Sequence, residues 1–160
     1  ILKSDFITYD DIPINDSVNV YVPYININNF IYDKFGSFTF KHVSTILIEH
    51  VLLIEKHSNI PKVYVNVGNN HFEMIVVDKT KLLLYNTFDY SLFTAEQLEL
   101  NPETLNLVFI GDIDTKDKLY TIAYKYIRFV FLGNREDNYK YSNGAQPETN
   151  HAHFALIKSL

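Results

Sequence analysis

Three short segments with β-strand character follow one another between residues 62 and 90, and alternating helical and strand patterns follow them. The three predicted strands are Lys62–Gly68, His71–Asp78 and Lys81–Tyr90. Each is rich in Val, Ile, Leu, Tyr or Phe and is bounded by turn residues. The elements predicted next are helix Ser91–Leu100, strand Leu105–Ile110, helix Asp114–Ile127 and strand Phe129–Leu132. This change of period predicts an α/β fold with a mixed sheet, in which strand 105–110 is parallel to strand 62–68 and the meander is antiparallel.

The first third of the chain predicts a smaller set of elements. We expect residues 1–16 to be an irregular linker or arm. The elements predicted after it are strand Ser17–Tyr24, helix Asn26–Phe35, strand Ser37–Val43 and a helix that Ser44 caps and that runs to about His57. Apolar residues surround this last helix almost completely, which predicts a buried position, with Leu47 and Leu52 almost fully covered. Past Leu132 we expect a polar loop over 133–149 and a short closing helix or strand at His153–Leu160.

Composition narrows the class of protein. The chain has 160 residues, 47% of them hydrophobic, which is enough for one domain or two small ones and excludes disorder over most of the length. A net charge of −5 without a basic run argues against binding to nucleic acid. There is no cysteine to form a disulfide, a thiolate zinc site or a nucleophile. The longest apolar stretch, Ile46–Ile54, is too short to cross a bilayer, and no signal peptide is visible. The cytoplasm is therefore the default location, and the start at Ile1 predicts further polypeptide upstream.

The order of segments resembles that of actin-like ATPases. A strand, a helix, a strand and a long apolar helix precede a hairpin that contains Val65-Asn66-Val67-Gly68. In actin-like proteins, which share the ribonuclease-H-like fold, the long helix connects two lobes and the hairpin carries a D-x-G phosphate loop. The junction is most similar to that of the pilus-assembly branch. The resemblance implies that 17–60 is the remaining part of a first lobe with its connecting helix, and that 61–160 is the second lobe.

A closer resemblance is to the bacterial family of unknown function DUF 3822, for which an actin-like fold is expected. The segments that carry it are Val22-Pro23-Tyr24-Ile25-Asn26-Ile27-Asn28-Asn29-Phe30, Phe35-Gly36-Ser37-Phe38, Lys41-His42, His71-Phe72-Glu73, Leu83-Leu84-Tyr85-Asn86-Thr87-Phe88 and Phe93-Thr94-Ala95-Glu96-Gln97-Leu98. The family has no assigned activity, so the resemblance implies a fold rather than a reaction.

The chain departs from the pattern of working actin-like ATPases at the positions that contact nucleotide. Asn66 stands where the hairpin Asp is expected, and an amide carries no charge to a metal ion. The adenosine loop, normally a pair of glycines, has Gly111 followed by Asp112, whose carboxylate would repel a phosphate. The candidate nucleotide-binding residues are Asn66, Gly68, Asn69, Asn70, Gly111 and Asp112. We interpret them as vestigial, and we predict no catalytic residue, no metal site and no cofactor, with ATP and magnesium as the alternative.

For three other groups of polar residues, a structural role is favoured over a catalytic or metal-binding one. Asp112 and Asp114 occupy the place of a nuclease metal ligand, but two-metal chemistry needs a second acid and Asn66 stands there. The favoured interpretation is a solvated turn in which Asp114 caps a helix. His71 and Glu73 alternate on one strand, so they face one side of the sheet, and a surface pair on an edge strand is favoured. His151 and His153 have no third ligand nearby that would complete a metal site.

The leading prediction is therefore a pseudo-ATPase, an actin-like interaction module in a bacterial cytoplasm that binds a protein partner and does not hydrolyse ATP. The first alternative is a nucleotide-binding ATPase with the rest of its site in a missing N-terminal lobe. The second alternative is a ribonuclease-H-like nuclease built on Asp112. The sequence leaves the partner and the oligomeric state open.

Overall fold

The computed structural model describes residues 6–89, 102–135, 139–142 and 144–159, and these fold into a mixed α/β arrangement. The strands are β1 (Thr8–Ile12), β2 (Ser17–Tyr21), β3 (Lys62–Val67), β4 (His71–Asp78), β5 (Lys81–Asp89), β6 (Asn106–Gly111) and β7 (Phe129–Leu132). The helices are α1 (Ile25–Phe35), α2 (Val43–Ile54), α3 (Lys118–Tyr126) and α4 (Phe154–Lys158). Single turns of 3-10 helix cover Pro13–Asn15 and Glu55–His57. The helix predicted at Ser91–Leu100 lies outside the described residues.

The main sheet has five described strands in the order β5-β4-β3-β6-β7. β4 is antiparallel to both β3 and β5, which completes the predicted meander. β6 is parallel to β3, with Val63 opposite Leu107 and Val67 opposite Gly111, and β7 is parallel to β6. The predicted pairing of the sheet is therefore confirmed. Because β3 and β6 run the same way, their carboxyl ends meet at one edge.

Each face of this sheet has its own apolar core. On one face, side chains such as Tyr64, Ile75 and Ile110 pack with residues of α2 and with Phe154 of α4. On the other, Val65, Met74 and Phe109 pack with partly buried residues of α3. The alternation of side chains along each strand produces this two-sided burial. A sheet covered on both faces accounts for the nearly continuous apolar run in β4.

Helix α2 is buried along one side rather than all round. Leu47 and Leu52 are both 0% exposed, as predicted. Leu53 is 55% exposed and Ile54 43%, so the prediction that the helix is buried on nearly all sides is wrong. The predicted cap is also wrong, because the helix begins at Val43 and its N-cap is His42, whose ring nitrogen accepts from the Ser44 amide over 3.2 Å.

The N-terminal region is more ordered than the sequence predicts. Residues 1–16 are expected to be irregular, but strand β1 lies within them and pairs with β2 in an antiparallel hairpin. That expectation is wrong for 8–12, where the apolar Ile12 is buried and the pairing with β2 supplies the backbone hydrogen bonds. Ser37–Val43, predicted as a strand, has no strand partner among the described residues, so its period of two does not lead to pairing.

Helix α3 begins later than predicted, at Lys118 rather than at Asp114. Asp114 instead opens a turn, because its carboxylate accepts from the Lys116 amide over 2.8 Å. The amide of Asp114 donates to the carboxylate of Asp117 over 2.6 Å, and Asp117 is the N-cap residue of the helix. Local side-chain hydrogen bonds of this kind compete with helix formation. The prediction that Asp114 caps the helix is therefore wrong.

A buried charged cluster joins the end of α2 to β3. Glu55 is 2% exposed, and its carboxylate accepts from Lys62 Nζ over 2.9 Å and from the Tyr64 hydroxyl over 2.5 Å. Burial, together with the hydrogen bond to Glu55, raises the pKa of Tyr64 above its ordinary value of 10.0. The neutral phenol and the carboxylate thereby stabilise one another.

Crossing a bilayer takes a longer and more apolar helix than any in the described part of the chain.

Candidate functional site

The candidate residues lie at the edge of the main sheet where β3 and β6 end. Asn66 is the penultimate residue of β3, and Gly68, Asn69 and Asn70 form the turn to β4. Gly111 ends β6, directly opposite Val67, and Asp112 follows it. The structure thus brings to one edge all six residues that the resemblance to actin-like ATPases singles out. Their proximity follows from the parallel pairing of β3 with β6.

Asn66 is hydrogen-bonded to an acid on the neighbouring strand. It lies directly opposite Glu73 in the register of β3 with β4, and its Nδ2 donates to Glu73 Oε2 over 2.9 Å. Glu73 is only 5% exposed, so the amide supplies a hydrogen bond that this buried carboxylate needs. A carboxylate therefore stands beside the position where the actin-like pattern has its Asp, one strand away.

Glu73 also contacts His71. Nε2 of His71 lies 3.4 Å from Glu73 Oε1, and Nδ1 of the same ring lies 2.8 Å from Asn70 Oδ1. The two side chains share one side of the sheet, as predicted. However, β4 lies between β3 and β5, so the prediction of a surface pair on an edge strand is wrong. His71 connects the exposed turn to the buried acid.

Gly111 lies in close contact with the end of β3. Its φ is +86°, a conformation that favours glycine. A Cβ atom at this position would lie 2.4 Å from the Val67 carbonyl oxygen and 2.7 Å from Asn66 Oδ1. Only glycine fits without a shift of the β3 backbone. A structural requirement therefore explains Gly111 without any ligand.

The backbone amides at the end of β6 already have acceptors within the protein. Gly111 donates to the His151 carbonyl over 2.8 Å, and Asp112 donates to the Val67 carbonyl over 2.8 Å. The amide of Ile113 donates to the Gly111 carbonyl over 3.1 Å. Phosphate-binding loops rely on backbone N–H groups that point at the ligand. Here these three hydrogens point at carbonyl oxygens of the protein, so they are not directed at a ligand.

A buried histidine and a buried arginine hold the segment that lies against this edge. His151 is 5% exposed, and its Nε2 lies 2.7 Å from the Ile113 carbonyl oxygen. Arg135 is 4% exposed, and its guanidinium donates to the carbonyls of Thr149, over 3.3 Å, and of Ala152. The arginine thereby fixes the loop that supplies the acceptor for Gly111. Sequence reasoning missed this role of both residues.

The other acids and histidines that the structure describes near this edge do not converge on a common ion. Asp112 and His153 are 3.9 Å apart at their closest polar atoms, and both side chains are more than half exposed. The His151 ring is instead bonded to the Ile113 carbonyl, so it does not share a partner with His153. Within the described residues, no three His, Asp or Glu side chains are grouped in a way that could hold a metal ion.

A network of polar side chains joins the hairpin of β1 and β2 to the start of α2. The carboxylate of Asp10 accepts from the His42 amide and the Thr45 hydroxyl, each over 2.7 Å, and from the Tyr21 hydroxyl over 3.0 Å. Asn19 donates to the hydroxyls of Ser44 and Thr45 over 2.9 Å. Burial and the adjacent Asp10 raise the pKa of Tyr21 to about 12. The network explains why β1 and β2 are ordered.

Comparison with known families identifies the chain. The family described as protein of unknown function (DUF3822) matches residues 1–130. The chain belongs to this family. A search of functionally curated proteins finds no match.

The DUF3822 chain is also similar to a solved structure. That crystal structure is of a Bacteroides thetaiotaomicron VPI-5482 protein described as having an actin-like ATPase fold and unknown function. The TM-score is 0.74 at 21% sequence identity, over 99% of this chain and 60% of the other. The DUF3822 chain therefore has an actin-like ATPase fold and spans about three fifths of the length of that protein.

One feature of the sequence indicates that Glu73 is a buried acid with a partner. Glu73 interrupts the apolar run of β4 two residues after His71, and a charge in a strand of that kind is rarely buried without a partner. The hairpin register then makes Asn66 its partner. No comparable signal marks Arg135 or His151, because the backbone carbonyls of Thr149, Ala152 and Ile113 that they contact lie far from them along the chain.

Proposed function

We propose that this DUF3822 chain is part of an actin-like interaction module that does not hydrolyse ATP. The observation that carries the proposal is the pairing of the amides of Gly111, Asp112 and Ile113 with carbonyl oxygens of the protein. A nucleotide that bound to these amides, at the adenosine loop, would have to displace those carbonyls and leave them unpaired. The loss of such hydrogen bonds opposes binding.

The side chains at this edge add to the argument. Asn66 donates one of its two side-chain amide hydrogens to Glu73, so that hydrogen is not directed at a ligand. The half-exposed Asp112 brings negative charge to the place where a phosphate would lie. Asn69 and Asn70 are exposed on the turn, and Asn70 contacts His71. These features support a scaffold that has kept the actin-like fold without its nucleotide chemistry.

Isothermal titration with ATP and Mg²⁺, followed by a phosphate-release assay, tests the proposal. We expect no saturable heat at millimolar ATP and no release above background, and a working actin-like ATPase in the same buffer verifies both measurements. The variant Asp112→Asn removes the repelling charge and should leave both results unchanged. Saturable binding in the micromolar range, or turnover by the wild type, contradicts the proposal.

One observation favours a second candidate, a nucleotide-binding ATPase completed by a further lobe. The Glu73 carboxylate lies 2.9 Å from Asn66 Nδ2, which restores an acid near the hairpin. If this candidate holds, turnover is present in the wild type and is lost in Glu73→Gln. The two candidates therefore differ in the wild-type assay and in the response to one substitution.

A division into lobes, a cytoplasmic location and a protein partner belong to the same proposal. Residues 17–60, extended by β1, form the remaining part of a first lobe with α2 as its connecting helix, and 61–160 form the second lobe. A module without chemistry of its own acts through the proteins that bind it. The net charge of −5 supports a protein rather than a nucleic acid as the partner. Cell fractionation tests the location, and affinity purification identifies what binds.

A further inference from the structure

A short segment before α4 lies against the carboxyl end of β6, beside that of β3. It belongs to the connection from β7 to α4, which runs over 133–153 and is longer than most connections in compact domains. The last five residues of this connection, 149–153, contact the sheet edge, and we call them the strap. Ligands of open α/β sheets bind outside the carboxyl ends of the strands. The strap therefore occupies the place that such a ligand would need.

The strap is held to the end of β6 through polar atoms. The His151 carbonyl accepts from the Gly111 amide over 2.8 Å, and Nε2 of the His151 ring lies 2.7 Å from the Ile113 carbonyl oxygen. Because His151 is 5% exposed, its ring is the buried anchor of the strap. The side chains of Asp112 and His153 approach to 3.9 Å at the surface. Removing the His151 ring would leave the strap without its buried side-chain contact to this edge.

A buried arginine also holds the strap. The guanidinium of Arg135 donates to the carbonyls of Thr149, over 3.3 Å, and of Ala152. Because His151 and Ala152 are adjacent in the chain, the carbonyls that meet Gly111 and Arg135 belong to neighbouring peptide units. The Gly111 amide and the Arg135 guanidinium are therefore two donors that one small group of oxygen atoms can reach.

The strap ends in a strained residue and lacks apolar anchors. His153 has a φ of +50°, in the left-handed region that residues with a Cβ rarely adopt. Conformations of this kind cost free energy and are frequent in segments that switch. In the described part of the chain, no side chain of 149–153 belongs to either apolar core. Lifting the strap should therefore cost less free energy than unfolding the sheet.

We propose that the strap is an autoinhibitory segment that closes this edge of the sheet, and that its release opens a site for an oxyanion such as a phosphate group. The strap meets two donors, the Gly111 amide and the Arg135 guanidinium, with carbonyl oxygens. A ligand that replaces it must supply oxygen acceptors as well, and the positive charge of Arg135 favours an anion. The inference rests on the proposed function, because it supplies a reason why the wild type leaves ATP unbound.

The variant His151→Gly releases the strap, because it removes the ring that contacts Ile113 and keeps the length of the chain. His153→Gly is the matched control, since that side chain is 57% exposed and glycine suits its positive φ. The polypeptide as its gene encodes it is titrated with ATP and Mg²⁺, and separately with inorganic phosphate, after circular dichroism has shown that each variant is folded. We expect His151→Gly to bind at least about tenfold more tightly than the wild type, because apparent affinity rises with the fraction of open molecules.

The control His153→Gly should behave like the wild type. Binding of phosphate as well as ATP to His151→Gly means that the oxyanion is sufficient, and binding of ATP alone identifies a nucleotide. A folded His151→Gly that binds neither probe more tightly than the wild type overturns the inference, and so does an equal gain in His153→Gly. Binding of ATP by the wild type contradicts the proposed function, whereas the inference depends on the ratio of the two dissociation constants. The two failures are thereby distinguished.

Amide hydrogen exchange in the wild type tests the strap without any substitution. Gly111 donates to the strap, while the adjacent Asp112 donates to Val67 of β3. If the strap opens by itself, the Gly111 amide should exchange at least about tenfold faster than that of Asp112, after correction for intrinsic rates, and low concentrations of urea should not change its rate. Equal exchange of the two amides would mean that the strap opens only together with the sheet, and would overturn the inference.

Discussion

Asn66 and Glu73 lie directly opposite one another on β3 and β4, and the amide donates to the carboxylate over 2.9 Å. By resemblance, the actin-like pattern has a single Asp at the position of Asn66, and here an amide and an acid lie side by side on neighbouring strands. Because Glu73 is buried, the amide is better suited to this position than an acid would be. The hydrogen bond to its neighbour Glu73 is therefore a structural reason for Asn66.

Replacing Asn66 with Asp should destabilise the protein without creating ATPase activity. The new carboxylate would face Glu73 at hydrogen-bond distance, and the buried acid would lose its donor. We expect a loss of about 1–3 kcal/mol in the free energy of unfolding, measured by urea denaturation. In the double variant Asn66→Asp/Glu73→Gln, the new Gln amide can donate to the new Asp carboxylate, and the pair again carries a single negative charge. The double variant should therefore recover most of the lost stability. Wild-type stability in the single variant would show that the pair is not coupled.

Replacing Gly111 with Ala should be far more damaging than the same change at Gly144. Both residues have a positive φ, of +86° and +83°, so both substitutions carry backbone strain of roughly 1–2 kcal/mol. At Gly144 a Cβ meets nothing within 4 Å, whereas at Gly111 it lies 2.4 Å from a backbone oxygen. We expect a loss above about 3 kcal/mol for Gly111→Ala. Equal melting temperatures of the two variants would mean that β3 and β6 are not so closely packed.

The main sheet was predictable because its signals are local. β3, β4 and β5 are apolar runs separated by turn residues, and a right-handed crossover favours the parallel pairing of β6 with β3. Ser37–Val43 has the same period of two and forms no strand, because a strand needs a pairing partner that the pattern cannot reveal. The opposite error occurred at Thr8–Ile12, where one buried isoleucine and the contacts of Asp10 order a polar segment.

The location of the candidate residues in the fold was predictable from the sequence, but their hydrogen-bond partners were predictable only in part. Parallel pairing of β3 with β6 was enough to place Asn66 near Gly111. The hydrogen bond from Asn66 to Glu73 depends on the exact register of the hairpin, which a one-residue slip would abolish. The acceptors of the Gly111 and Asp112 amides come from His151, 40 residues later in the chain, and from Val67. Long-range contacts of that kind leave no pattern in a single sequence.

Truncating Leu52 to Ala should destabilise the protein far more than truncating its neighbour Leu53. Leu52 is 0% exposed in the core beneath the sheet, while Leu53 is 55% exposed. We expect a loss of about 2–5 kcal/mol for Leu52→Ala from burial and cavity terms. Leu53→Ala should stay within about 0.5 kcal/mol of the wild type. Thermal unfolding of both variants makes the comparison, and a larger loss at Leu53 would mean that a partner covers the exposed side of α2.

Tyr64 should make the protein lose stability at alkaline pH. Its pKa is raised above 10.0 in the folded state by burial and by Glu55, while the unfolded chain has the ordinary value. The unfolded state therefore releases this proton first as pH rises, and the free energy of unfolding falls above about pH 10. Below that pH the contribution of Tyr64 is fully present. Urea denaturation between neutral pH and about pH 11 measures the slope.

The variant Tyr64→Phe isolates this contribution. It removes the hydroxyl that donates to Glu55 over 2.5 Å, so it should be less stable than the wild type at neutral pH by about 1.5–3 kcal/mol. Its stability should fall less steeply above about pH 10, so that the gap to the wild type narrows. Tyr124→Phe, at a residue that is 67% exposed, should keep the wild-type slope. The slope should not disappear in Tyr64→Phe, because Tyr21, with a pKa of about 12, loses its proton late for the same reason. An unchanged slope in Tyr64→Phe would mean that the phenol is not held neutral against Glu55.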